Sequence, residues 1–188
     1  TIVGENTLGI AHWIDVVDLT DHEVRVNVPY ARPVSAATGG NWEGKGVIPD
    51  IETSAANALG IAHVHALEKL LETCPNAERC RDLEWDLVAA RTQANPPEWN
   101  EQMMAAYTGV YADGKYRVHI MDGQLYWRYR PEVDYVLLPL NADLFAFDDT
   151  EELRFKIIRG EDGSVSGYQL VYRNGETGSI KPKTAELP

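Results

Sequence analysis

Apolar and polar residues alternate with a period of two from Ala105 almost to the end of the chain, in short segments separated by turn sequences. Asp113-Gly114 and Asp122-Gly123 lie between the first three segments, and Asp-Gly in such a position is typical of tight hairpin turns. Strands are predicted at residues 107–112, 115–121, 124–129, 135–140, 144–147, 153–158 and 165–172. Seven or so short strands predict a small antiparallel β-barrel or sandwich, followed by a loose tail after Lys181.

Two helices are predicted before this strand-rich part. The first is alanine-rich and covers residues 54–72, and the second covers residues 77–94. Asn95-Pro96-Pro97 ends the second helix, because two successive prolines cannot continue it. The sequence therefore predicts two domains, residues 1–95 and 96–188.

The first fifty residues favour strands and glycine-bounded loops. Residues 11–19 and 23–29 read as paired strands joined by a short turn. Val24, Val26 and Val28 alternate with polar residues, which predicts that one face of this hairpin is buried.

Composition excludes two classes of partner. The 188 residues carry a formal net charge of −12 without a cluster of Lys or Arg, so a nucleic-acid-binding surface is not expected. No apolar run approaches the ~20 residues that a membrane-spanning helix needs, so no membrane span is predicted.

Cys74 and Cys80 enclose five residues in the break between the two predicted helices. A disulfide would form there in an oxidising compartment, and the alternative is two unrelated thiols. A zinc site is less favoured, since no second Cys or His pair stands at ligand spacing.

Two motifs in the first fifty residues point to a family. Residues 4–9 read Gly-Glu-Asn-Thr-Leu-Gly, and residues 41–50 read Asn-Trp-Glu-Gly-Lys-Gly-Val-Ile-Pro-Asp ahead of the first helix. Together they resemble the C-terminal half of the catalytic domain of tail-specific (C-terminal-processing) serine peptidases. The resemblance is to the branch that includes the tricorn core and interphotoreceptor retinoid-binding protein. It covers residues 1–72 and implies an α+β chain, in which part of a crotonase-like α/β domain precedes the barrel. The barrel sequence itself resembles a small barrel appended to some bacterial hydrolases.

The resemblance also implies roles for individual residues. Glu43 matches a glutamate that supports the catalytic base in the tricorn-like branch, so Glu43 is the predicted catalytic residue. Gly9, His12 and Trp42 are the predicted substrate-binding residues. The position of the general-base lysine in another branch is Ile10 here, which excludes a Ser–Lys dyad because isoleucine cannot accept a proton. The alternatives are a surface glutamate in a glycine-rich loop and a Trp42 that serves packing.

The family places its serine nucleophile roughly two dozen residues before the first motif, whereas this chain begins three residues before it. We therefore expect a fragment that is inactive alone and that associates with an N-terminal half or with a second copy. The implied function is hydrolysis of peptide bonds in peptide or protein substrates. The alternative is a non-catalytic module that binds a hydrophobic ligand or a peptide. Neither needs a cofactor or a metal, and the resemblance and the cysteine pair imply a periplasmic or secreted protein.

Overall fold

The computed structural model describes residues 1–130 and 133–187. It contains two compact units, Thr1–Ala62 and His63–Pro188, which combine helices with an antiparallel eight-stranded β-barrel. Of the two predicted alternatives, an antiparallel barrel or a sandwich, the barrel is the one present. The predicted domain boundary between residues 95 and 96 lies inside the second unit and stays a prediction. Within the described residues, no helix has both the length and the apolar character needed to cross a membrane.

The first unit contains two small sheets. Strands β1 (Val3–Gly4) and β4 (Ile51–Glu52) pair in parallel, while β2 (Trp13–Leu19) and β3 (Val24–Ala31) form an antiparallel hairpin. A 3-10 turn at Thr20–His22 joins β2 to β3. The predicted hairpin is therefore present.

The predicted burial of one hairpin face is wrong. Every residue of β2 is exposed, and so is every residue of β3 except Ala31. The one buried apolar side chain described in this unit is Ala11, at 8 % exposure. Alternation identified a face suited to burial, but no segment of the described structure covers that face.

Three helices follow: α1 (Ala58–Glu72), α2 (Ala77–Ala94) and α3 (Glu101–Ala105). α2 has the bounds predicted from sequence, and its first turn is capped by the Asn76 side chain, which accepts a hydrogen bond from the Arg79 N–H. Cys74 and Cys80 form a disulfide between α1 and α2, with a Cα–Cα distance of 5.5 Å. The disulfide alternative is thus the one observed.

Eight strands close the barrel, in the order β10-β11-β12-β5-β6-β7-β8-β9. Their bounds are β5 Gly109–Tyr111, β6 Tyr116–Met121, β7 Gln124–Arg130, β8 Val133–Asn141, β9 Leu144–Phe147, β10 Leu153–Arg159, β11 Val165–Tyr172 and β12 Lys181–Ala185. The prediction of a loose tail after Lys181 is wrong, because β12 pairs with both β11 and β5 and closes the barrel.

Aromatic side chains fill the barrel. Tyr111, Phe155 and Tyr168 are fully buried, and the rings of Phe155 and Tyr168 stack with centroids 4.2 Å apart. The buried indole of Trp127 donates a hydrogen bond from Nε1 to the Tyr168 hydroxyl at 3.0 Å. An eight-stranded barrel has an interior just wide enough for side chains to fill, and these residues fill it.

Helix α2 is fixed to the outside of the barrel by polar contacts. The Trp85 indole donates to the Glu151 carbonyl at 2.8 Å, and the guanidinium of Arg154 lies 3.8 Å from the centre of the Trp85 ring. Arg154 also donates to the Trp85 carbonyl at 2.6 Å, and its burial lowers its pKa to about 10. This cation–π contact makes the helix and the barrel wall one packed assembly.

Candidate functional site

The two motifs that suggested a family lie side by side in the first unit. The Thr7 N–H donates to the Val47 carbonyl at 3.2 Å, and the Val47 N–H donates back to the Thr7 hydroxyl at 2.8 Å. The Gly44 N–H donates to the Gly9 carbonyl at 2.7 Å. Loops more than thirty residues apart in sequence are thereby joined backbone to backbone, next to the parallel β1–β4 pair.

Glycine is required where these loops cross. Gly9 has φ +73°, and a Cβ there would lie 2.6 Å from the Gly46 nitrogen and 2.9 Å from the Trp42 carbonyl oxygen. Gly46 has φ +77°, and a Cβ there would overlap the Thr7 carbonyl oxygen. Both residues combine left-handed backbone with a contact too close for any side chain. The glycines of the two motifs therefore set the distance between the loops.

Glu43 lies at the centre of this crossing. Its Oε2 accepts hydrogen bonds from the Ala11 N–H at 2.7 Å and from the His12 N–H at 3.0 Å. These two donors, chiefly Ala11, together with the nearby His12 side chain, lower the pKa of the Glu43 carboxyl. Glu43 is therefore held as an ionised carboxylate in a fixed orientation, although its side chain is still partly open to solvent.

The four residues predicted for the site come together. The His12 imidazole Nδ1 lies 3.6 Å from Glu43 Oε2, a distance that forms an ion pair when the ring is protonated. Gly9 contacts the loop through its carbonyl, and the Trp42 carbonyl accepts the Lys45 and Gly46 N–H groups. The Trp42 side chain is exposed beside Glu43. A fixed carboxylate beside an imidazole can orient that ring and stabilise positive charge on it.

Several residues that support Glu43 were not identified from the sequence. Asn41 Oδ1 accepts the Glu43 N–H at 3.1 Å, and the buried Asn41 Nδ2 has no hydrogen-bond partner within the described part of the chain. Asn6 donates from Nδ2 to the Lys45 carbonyl at 2.9 Å. Asn side chains often accept a hydrogen bond from the backbone N–H two residues further on, in an Asx-turn. An Asn two residues before Glu43 was therefore a signal that the sequence offered for this contact.

Carboxylates also fix the ends of the two motifs. Asp50 Oδ2 accepts the Ile2 N–H at 2.8 Å, 48 residues away in sequence. Glu5 Oε1 accepts the Ala55 N–H at 2.9 Å. Three acidic side chains thus bind backbone donors in this unit, and of these Glu43 is the one with an imidazole beside it.

Within residues 1–130 and 133–187, no group of three or more His, Cys, Asp or Glu side chains is arranged to hold a metal ion. No family model matches the sequence, and no solved structure is significantly similar to the chain. Any assignment of function therefore depends on the two motifs and on the geometry of the loops that carry them.

Proposed function

We propose that residues 1–72 are the C-terminal part of a crotonase-like catalytic domain, and that the parent protein is a serine-type endopeptidase of the tail-specific family. The observation that supports this most directly is the position of Glu43. The residue that matches the supporting glutamate of the tricorn-like branch is a fixed, ionised carboxylate at the crossing of both family-like motifs.

The local architecture adds support. β1 leads into the first motif and β4 follows the second, and the two strands pair in parallel with Val3 opposite Ile51. All-parallel sheets occur almost only in α/β domains, and here α1 is the next element after β4, with five residues between them. A parallel strand pair followed by a helix is compatible with the α/β layering that the proposal requires.

In the proposed mechanism, a serine on polypeptide outside these 188 residues attacks the carbonyl of a peptide bond. Glu43 orients the hydrogen-bonded group that takes the serine proton, and its charge stabilises the positive charge that develops there. Backbone N–H groups hold the oxyanion. Ile10 has no proton-accepting atom, so no role as a base is assigned to that position.

A second candidate function is supported by the side chains around the crossing. Leu8, Ile10 and Trp42 are all exposed beside Gly9. Three large apolar groups at one loop crossing suit the binding of a hydrophobic ligand or an apolar peptide. In this reading the loops carry a ligand without cleaving it, and Glu43 only fixes the loop.

A periplasmic or secreted location accompanies either function. Disulfides persist in oxidising compartments and are rare in the cytosol, and the Cys74–Cys80 bond supports such a compartment.

A fluorophosphonate probe on the full-length protein separates the two candidates, because it labels an activated serine. A peptidase is labelled, and Glu43→Gln slows labelling by about 100-fold or more, the usual contribution of a positioned acid–base group. Glu5→Gln is the matched control: it also alters a carboxylate that accepts a backbone N–H, but one without a neighbouring imidazole. Absence of labelling contradicts the peptidase and favours the binding module. Equal slowing by both variants would show that Glu43 acts only through the fold.

A further inference from the structure

The β2–β3 hairpin has one nearly uncharged face. Residues opposite each other in the register share a face, and the pairs Val17–Val26 and Leu19–Val24 lie on the same side. Asp15, paired with Val28, adds the one charge on that side. The opposite side carries the Asp18–Arg25 ion pair, with a distance of 2.7 Å between its charged atoms.

Two aromatic rings extend this face at its open end. Trp13 has the same alternation as Asp15 and Val17, and its ring meets the Tyr30 ring edge-on at 6.4 Å. The face therefore consists of seven apolar side chains around Asp15. They are Trp13, Val17, Leu19, Val24, Val26, Val28 and Tyr30, which we call the hairpin face.

The hairpin face is uncovered along its whole length. Its seven apolar residues keep between 38 % and 60 % of their surface exposed. With full residue areas of about 150–250 Å², the seven residues together expose roughly 600 Å², most of it apolar side chain, which is at the upper end of patches on ordinary monomers. β2 and β3 pair only with each other among the described strands, and a two-stranded hairpin is at best marginally stable without a packing partner.

We propose that the hairpin face is a homodimer interface, in which the face of a second copy packs on it. Two such faces remove about 1,200 Å² in total, the lower limit for a specific, stable interface. This proposal does not depend on the proposed peptidase function.

The arrangement of charge suits two identical copies. A two-fold axis between the Asp15 row and the Val17 row brings Asp15 of one copy onto the valines of the other. The aromatic pair at the open end then packs on Leu19 and Val24 of the second copy. No like charges face each other, and because β2 is an edge strand of a two-stranded sheet, the Asp15 carboxylate can turn outward from between the two faces.

Sedimentation equilibrium of the 188-residue protein tests the proposal. We expect a reversible monomer–dimer equilibrium in the micromolar range. Val26→Asp, which adds one charge to each copy at the centre of the interface, weakens the dimer by about 100-fold or more. The matched control is Val16→Asp, on the opposite side of the same hairpin and more exposed, which leaves the equilibrium unchanged.

Cross-linking provides a measurement that does not depend on a destabilising charge. The native cysteines are paired in a disulfide, so the introduced thiol is the one that reacts. Val26→Cys treated with a short bismaleimide gives a covalent dimer in high yield, whereas Val16→Cys, on the opposite side of the hairpin, does not. A monomer at the highest concentration tested would overturn the proposal. So would open-ended aggregates, or a dimer that Val16→Asp and Val26→Asp weaken equally.

Discussion

Replacing Gly9 with alanine tests whether the close crossing of the two loops holds the candidate site together. The matched variant is Gly44→Ala. Gly9 and Gly44 have almost the same backbone conformation, φ +73° and φ +69°. Both substitutions therefore carry the same penalty for left-handed backbone, about 1–2 kcal/mol, which cancels in the comparison.

The two positions differ in the space for a side chain. An added Cβ at Gly9 meets three backbone atoms at 2.6 to 2.9 Å, whereas one at Gly44 meets nothing within 4 Å. Backbone atoms cannot rotate aside as side chains do, so the loops must separate. Overpacking of this kind costs about 1–3 kcal/mol, and that range is the expected difference between the two variants.

Native-state amide hydrogen exchange measures this difference at the site. The reporters are the N–H groups of Ala11 and His12, which donate to Glu43. Their protection falls about 5- to 150-fold further in Gly9→Ala than in Gly44→Ala, the ratio that corresponds to 1–3 kcal/mol. Equal protection in the two variants would refute the conclusion that glycine at position 9 sets the distance between the loops.

Two further predictions concern the barrel. Tyr168→Phe lowers the free energy of unfolding by about 1–3 kcal/mol in urea titrations, because the buried Trp127 N–H loses its acceptor. Tyr172→Phe, at an exposed position of the same strand, changes it by less than about 0.5 kcal/mol, and a similar loss in both would contradict the role of the buried bond. Burial lowers the pKa of His119 in the folded protein below its ordinary value of about 6.5. As the pH falls below this ordinary value, the unfolded chain therefore binds a proton at His119 before the folded protein does. The free energy of unfolding then decreases until the pH reaches the folded pKa. His119→Phe, which keeps a ring stacked on Tyr126, removes that part of the pH dependence, and an unchanged slope would exclude His119 as its source.

The barrel was predictable because its signals are local. Asp113 and Asp122 have positive φ, as do the glycines that follow them, which is the backbone of the tight hairpin turn that Asp-Gly predicts. Each turn fixes its two neighbouring strands, and alternation then assigns the inner face. Trp127 and Phe147 are buried, as that alternation requires.

Features that depend on distant partners were not predictable in this way. Strand β12 exists because β11 and β5 leave a gap that it fills, and nothing in its own residues indicates this. The valines of β3 indicated an apolar face but not whether anything covers it. At the site, the partners of Glu43 are backbone N–H groups, which every residue except proline carries, so no residue type marks them.

The neighbouring positions of β5 and β12 have a consequence for how such a chain is put together. The first and last strands of the barrel are hydrogen-bonded neighbours, so the points where the chain enters and leaves the barrel are close in space. A unit with neighbouring ends can be grafted into, or excised from, a longer protein without pulling the flanking chain apart. The first and last strands of this barrel thus bring its two ends to one place on the wall, where flanking chain can be joined without opening the sheet.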